Sequence, residues 1–245
     1  LGYPDQALKS SQAAVSLARE VAHPFSLAYA LDVVAWCHRL RGEWQRAESL
    51  AEEGIMLSTE HGLPLFLAWS TVFRGWALTE QGQGEEGVAQ ICQGLAAYRV
   101  IGGESLRPYF LALLAGVHGK VGQTEEGLST VSEALTLVNR TGERSYEAEL
   151  YRLKGQLTLE ARGWRLEPGP ASSQPPHEVK VKSGKLKIES GKSKVKSGKS
   201  LIPNAQEEVE REAEECFLKA IEISQKQQAK SLELRATMSL ARLWQ

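Results

Sequence analysis

Apolar-rich segments alternate along this chain with segments that open on acidic residues, and the alternation predicts helices in pairs. Residues 25–41, 65–81 and 105–121 read as apolar-rich A helices, and 43–60, 84–100 and 124–140 as their B partners. Breakers separate them at His23-Pro24, at Gly62 with Pro64, at Gly102-Gly103 and at Gly142. The B segments open with Glu43, Glu85-Glu86 and Glu125-Glu126, which suits the partial positive charge of a helix N-terminus. Thr124 reads as an N-cap.

The alternation has a fixed length. Gly2, Gly42, Gly82 and Gly122 step by 40 residues, and each opens a similar segment. Ala35, Gly75, Ala115 and Gly155 keep the same step, as do Ala7, Ala47, Gly87 and Gly127. Gly54, Gly94 and Ala134 follow seven residues after the second series. Small residues at matched positions let two antiparallel helices approach closely. A regular period of about 20–50 residues marks stacked supersecondary units.

The small–x11–small spacing, followed by an apolar residue at +4 and a small one at +7, resembles the tetratricopeptide repeat. It runs Ala35, Ala47, Ala51, Gly54; then Gly75, Gly87, Ile91, Gly94; then Ala115, Gly127, Val131, Ala134. The large residue four before the first small one is Leu31 and Leu111, but Thr71 in the second unit. The family unit is about 34 residues long, so this chain's helices and turns are expected to be longer. The resemblance implies an all-α fold: a right-handed superhelical solenoid of antiparallel helix pairs, covering 1–162 and 206–245.

The period fails after Gly155. The next B-helix small residue appears at Ala213, with Phe217 and Ala220 following, 46 residues late. SLELRATMSLA at 231–241 is displaced equally from SYEAELYRLKG at 145–155. An insertion is therefore expected over 163–205, between an A helix (145–161) and a B helix (206–227). It contains a proline-rich stretch and seven-residue repeats rich in Lys, Ser and Gly, with too little apolar surface to order itself. Eight lysines, one arginine and three glutamates give it a net +6, which leaves −7 on the remainder.

Charge and chemistry narrow the function by exclusion. The net charge of −1 gives no reason to expect nucleic acid. No apolar run reaches the roughly 18 residues of a membrane span, and nothing resembles a signal peptide, so the expectation is a cytoplasmic protein. The chain begins inside a B helix and ends inside an A helix, as expected of a fragment. Cys37, Cys92 and Cys216 are isolated and read as small buried hydrophobes. His38 and His118 share a repeat position 80 residues apart, too far to share a metal. SGKS occurs at 190–193 and 197–200, but without the glycine spacing or preceding strand of a phosphate-binding loop. Asp5 and Asp32 are the only aspartates, so no Ser–His–Asp set is assignable. No catalytic residue, cofactor or metal is expected.

The pattern that points to function is aromatic. Tyr29, Trp69 and Tyr109 step by 40 at the start of successive A helices, and Trp36 and Trp76 repeat the step seven residues later. A seven-residue step returns to one helix face. The family resemblance places these positions on the concave groove, with Asp32, Arg39, Arg152 and Arg242 as a sparse polar rim. Such a groove would clamp a peptide or helix, since Tyr and Trp are favoured interface anchors; alternatively, the rings pack between A helices as core. EAELYRLKG at 147–155 and the segment 213–245 resemble the C-terminal repeat region of bacterial multidomain proteins. Those join a nucleotide cyclase or kinase to an AAA-type ATPase, and include LuxR-type and MalT-like regulators. The expected function is a non-catalytic protein-interaction scaffold, the sensing region of such a parent. The alternative is a stand-alone adaptor holding a peptide or helix in its groove.

Overall fold

The structure, a computed structural model, describes residues 3–163 and 205–245, and all its regular secondary structure within these is α-helical. The insertion read from the sequence lies, but for its two end residues, outside the described residues. Ten helices follow in order: α1 (Pro4–Glu20), α2 (Pro24–Leu40), α3 (Trp44–Glu60), α4 (Pro64–Glu80), α5 (Gly84–Val100), α6 (Arg107–Lys120), α7 (Thr124–Thr141), α8 (Glu147–Glu160), α9 (Ala205–Lys226) and α10 (Lys230–Leu243).

The 40-residue period is built from a 20-residue beat. The first five helices are each 17 residues long, joined by three-residue turns. Every turn needs one left-handed residue. These fall at Ala22, Gly42, Gly62, Gly82, Gly102, Gly122, Gly142 and, between α9 and α10, Gln228, with φ between +49° and +90°. At the end of α2, Gly42 N–H bonds the Arg39 carbonyl (3.0 Å) and Glu43 N–H bonds the His38 carbonyl (3.0 Å). This is the Schellman arrangement, which satisfies helix-end carbonyls and favours glycine. The same 6→1 bond recurs from Gln83 to Leu78 and from Gln123 to His118. Proline at the first helical position starts α2 and α4, where its missing N–H costs nothing.

Consecutive helices pack against each other along the chain, including α8 on α9 and α9 on α10. The even-numbered helices also pack in sequence, α2 with α4, α4 with α6, α6 with α8 and α8 with α10, whereas the backbones of the odd-numbered ones stay apart, α1 reaching α3 through the Arg19–Glu53 ion pair (2.6 Å). The even helices therefore form a continuous inner layer, backed by the odd ones.

The small residues sit where pairs cross. A Cβ placed on Gly87 would lie 2.6 Å from the Gly75 carbonyl oxygen, so α4 and α5 meet nearly backbone to backbone. A Cβ on Gly155 would lie 3.0 Å from the Ala213 carbonyl oxygen, which sets α8 against α9. Ala35, Ala47, Ala115, Ala134 and Ala220 are wholly buried at equivalent places. The main core runs from α2 to α6 around Phe73, Tyr98, Tyr109 and Phe110.

Three local expectations are corrected. Thr124 is the first residue inside α7; Gln123 stands at the cap and makes no side-chain cap bond. The third A helix starts at Arg107 rather than 105, because Leu106 takes a left-handed conformation (φ +61°) that delays the helix. Its N–H is satisfied by Glu143 (3.1 Å). Of the cysteines, Cys216 is buried, Cys37 half-buried and Cys92 exposed.

Candidate cleft on the inner helix layer

The aromatic ladder does not present five equivalent rings. Tyr29 on α2 is 51% exposed and touches Phe66 and Trp69 at 6.1 and 6.4 Å between centroids. Trp69 on α4 packs edge-on against Phe66, Tyr98 and Phe110, between helices. Trp76 and Tyr109 are buried. Trp36, on α2, reaches past α4 to Tyr109 of α6, 4.9 Å between centroids, and to Tyr146, 6.5 Å away. Side chains two inner helices apart touch, so the inner layer is concave.

Following the same register into α8 and α10 changes its chemistry. The position of Tyr29, Trp69 and Tyr109 is next occupied by Glu149 and then Arg235. The position of Trp36 and Trp76 is next occupied by Gly116, Gln156 and Arg242. Rings at the α2–α6 end thus give way to charged groups at the α8–α10 end. Gly116 breaks the second ladder, and an added Cβ there would meet only Leu153, at 3.7 Å. With no ring at that rung, the inner layer opens a cleft of about 600 Å³, floored by Ala112 and Gly116.

Arginines dominate its walls. The Arg39 guanidinium lies over Tyr109 (5.2 Å to the ring centre) and over Trp76 (5.9 Å), both cation–π placements. Arg152 and Glu149, both buried, pair through two hydrogen bonds: Nε to Oε2 at 3.0 Å and Nη2 to Oε1 at 2.9 Å. Arg152 Nη1 also donates to Gln156 (2.7 Å), and Arg235 Nη2 lies 3.1 Å from Glu149 Oε1. Arg242 completes the lining at α10. Burial alone would raise the Glu149 pKa, but the charges of Arg152 and Arg235 outweigh it and hold it below the usual carboxylate range. Burial pushes the Tyr109 phenol far up despite the opposing charge of Arg39, so its hydroxyl stays protonated.

Of the residues the sequence marked as a rim, Arg39, Arg152 and Arg242 line the cleft together with Trp76 and Tyr109. Asp32 stands elsewhere. It is 1% exposed, between α2 and α4, and accepts a hydrogen bond from Ser70 Oγ (2.6 Å). Burial raises its pKa well above the ordinary range, with the Ser70 bond opposing. Sequence reasoning missed Glu149, Arg235 and Tyr146. The first two were in the ladder's register and lacked only an aromatic residue to mark them. Tyr146 precedes α8 outside that register, and no periodic signal points to it.

The paired histidines belong to the turns. His38 Nδ1 donates to Glu43 Oε2 (2.6 Å) and His118 Nδ1 to Gln123 Oε1 (2.7 Å), each bridging the glycine turn that follows its helix. Among the described residues no group of three or more His, Cys, Asp or Glu could hold a metal ion, and no helix is long and apolar enough to cross a membrane. A second hollow, of about 440 Å³, lies between α1 and α2 and is lined by exposed Leu17, Val21, Phe25 and Tyr29.

No family model matches the chain. Among curated proteins it is similar to an uncharacterized protein of Rhizobium meliloti (strain 1021), 27% identical over 157 residues. That match covers 62% of this chain and 15% of the relative, so the chain spans a small part of the relative's length. Among solved structures it is similar to BtubC (BKLC) from P. vanneervenii, with a TM-score of 0.50 and 15% identity over 98% of this chain and 89% of that one. The likeness is one of fold. It places the chain among all-helical, repeat-like architectures.

Proposed function

We propose that this chain is a non-catalytic interaction module, a tetratricopeptide-like superhelical stack whose inner cleft docks a segment of another protein or of its own parent. One observation carries the reading. The cleft holds several arginines and buried aromatic rings, while its acids are engaged by neighbouring cations: Glu149 by Arg152 and Arg235, and Glu80 by Lys120. Such a surface is built to be completed by a partner, because arginines not paired within the chain favour a partner's acceptors and are favoured interface anchors. The small share of the Rhizobium meliloti relative that the chain covers fits a segment of a larger protein, here read as a signalling ATPase or cyclase.

The test is co-precipitation of the purified chain with its parent protein lacking this region. The expected result is association that weakens more than tenfold when Arg39 and Arg235 are both changed to Gln. No association at high micromolar concentration would sink the docking reading.

A further inference from the structure

The charge of the cleft is unbalanced in a way that identifies what completes it. Six cationic and two acidic side chains line it, in a chain whose total charge is −1. Lys120 is paired with Glu80 at the rim, and Arg41 is held by Glu43 and Asp5. Among the described residues that leaves Arg39, Arg152, Arg235 and Arg242 around one carboxylate, Glu149. Both oxygens of Glu149 are already engaged by Arg152, and one also by Arg235. Among the described residues no acid forms an ion pair with Arg39.

The hydrogen-bonding groups show the same deficit. Among the described residues, Arg39 Nε, Tyr109 Oη and Tyr146 Oη are buried without a hydrogen-bond partner. Tyr109 and Tyr146 are 1% and 5% exposed, and their rings lie 4.5 Å apart between centroids. Arg39 stands 5.2 Å from the Tyr109 ring centre, beside its hydroxyl without a well-aligned bond to it. Arginine can only donate. A site with surplus positive charge carried by arginines calls for an anion rich in acceptor oxygens.

We propose that the cleft binds a phosphate monoester, seated between Arg39 and Arg235. The inference rests on the cleft being a docking site. Charge decides between phosphate and carboxylate. Counting only Arg39, Arg152 and Arg235 against Glu149 leaves two positive charges. A phosphate monoester carries about −1.5 to −2 at neutral pH with three acceptor oxygens, whereas a carboxylate carries one charge and two. Arginine's planar fork suits phosphate geometry, and Met238, 45% exposed in the cleft lining, offers an apolar surface to the group the phosphate is carried on.

Isothermal titration of the chain with phenyl phosphate, phenyl sulfate and inorganic phosphate at pH 7.5 tests this. Phenyl sulfate has the same shape but one charge, and it does not titrate in this range. Phenyl phosphate is expected to bind at least tenfold more tightly than the sulfate. Its affinity should fall about tenfold at pH 5.0, where most of the monoester has lost its second charge, while any change for the sulfate reports the protein alone. Arg39→Gln and Arg235→Gln should each weaken phenyl phosphate at least tenfold, and Arg19→Gln, on α1 away from the cleft, should not. Arg39→Gln removes a charge that no described acid pairs together with two cation–π contacts, so cooperative thermal unfolding of the variant is recorded beside its binding to show that the fold is kept. Arg235 is half-exposed and provides a second variant that tolerates replacement.

A short phosphoserine peptide binding more tightly than phenyl phosphate would assign the group to a modified partner side chain. The reverse order would assign it to a small phosphorylated molecule. Equal binding of phosphate and sulfate esters, no binding of phenyl phosphate, or full binding by both arginine variants would overturn the proposal. If the chain still captures its parent in that case, the phosphate inference alone falls and the docking reading stands.

Discussion

Asp32 shows how burial sets the behaviour of a single residue. It is sealed between α2 and α4 with one hydrogen bond, from Ser70, and its second oxygen has no partner among the described residues. Its pKa is raised, so the folded chain keeps a proton that the unfolded chain releases at its ordinary value of about 3.9. Between those two values the folded state binds more protons, and stability falls as pH rises through the window. The contribution is full below the unfolded pKa and lost above the folded one. Asp32→Asn removes this titration. The thermal midpoint of the variant relative to the unaltered chain should therefore rise between pH 4 and pH 8. Parallel pH profiles for the two proteins would contradict the assignment. The sequence placed Asp32 on a groove rim because repeat register fixes a position on a helix. Register does not say which neighbour closes over it, and here Ser70 does.

At the scale of elements, helices and turns were legible because glycine and small residues mark them. Gly42, Gly82 and Gly122 are every second rung of a ladder of left-handed turn residues spaced by 20. The intermediate rungs Gly62, Gly102 and Gly142 stood in the sequence as breakers, and the structure gives them the same geometry. Ala22 and Gln228 are the exceptions. Ala22 adopts φ +49° at a rung where the next six turns have glycine. An L-residue with a side chain pays roughly 1–2 kcal/mol for that conformation, while glycine loses more freedom on folding, roughly 0.5–1 kcal/mol. Ala22→Gly should stabilise the chain by about 0.5–1 kcal/mol in denaturant unfolding, and a loss of stability would show that the turn is not strained. Other features were hidden. Burial of Tyr109 depends on Trp36 reaching across α4 and on Tyr146, which has no periodic partner. Exposure of Cys92 follows from the face of α5 it occupies, which composition does not reveal.

Over the whole molecule, the repeat builds an inner layer whose working surface changes along its length. Aromatic residues stitch α2, α4 and α6 together, and the same positions carry Glu149, Arg235, Gln156 and Arg242 across α8 and α10. The cleft forms where one kind of residue gives way to the other, at Gly116. The sequence pointed to the layer through its rings, but the charge imbalance emerged only when α2 and α10 were brought to one cleft. The chain's two methionines test that placement with an internal control. Met238 lines the cleft and is 45% exposed, whereas Met56 lies on α3, outside it, and is 66% exposed. Exposed methionines oxidise to sulfoxides that mass spectrometry counts. With the parent protein lacking this region added in excess, oxidation of Met238 should slow several-fold while Met56 reacts at its original rate. Protection of Met56 instead, or an unchanged rate at Met238 despite association, would contradict docking in the cleft.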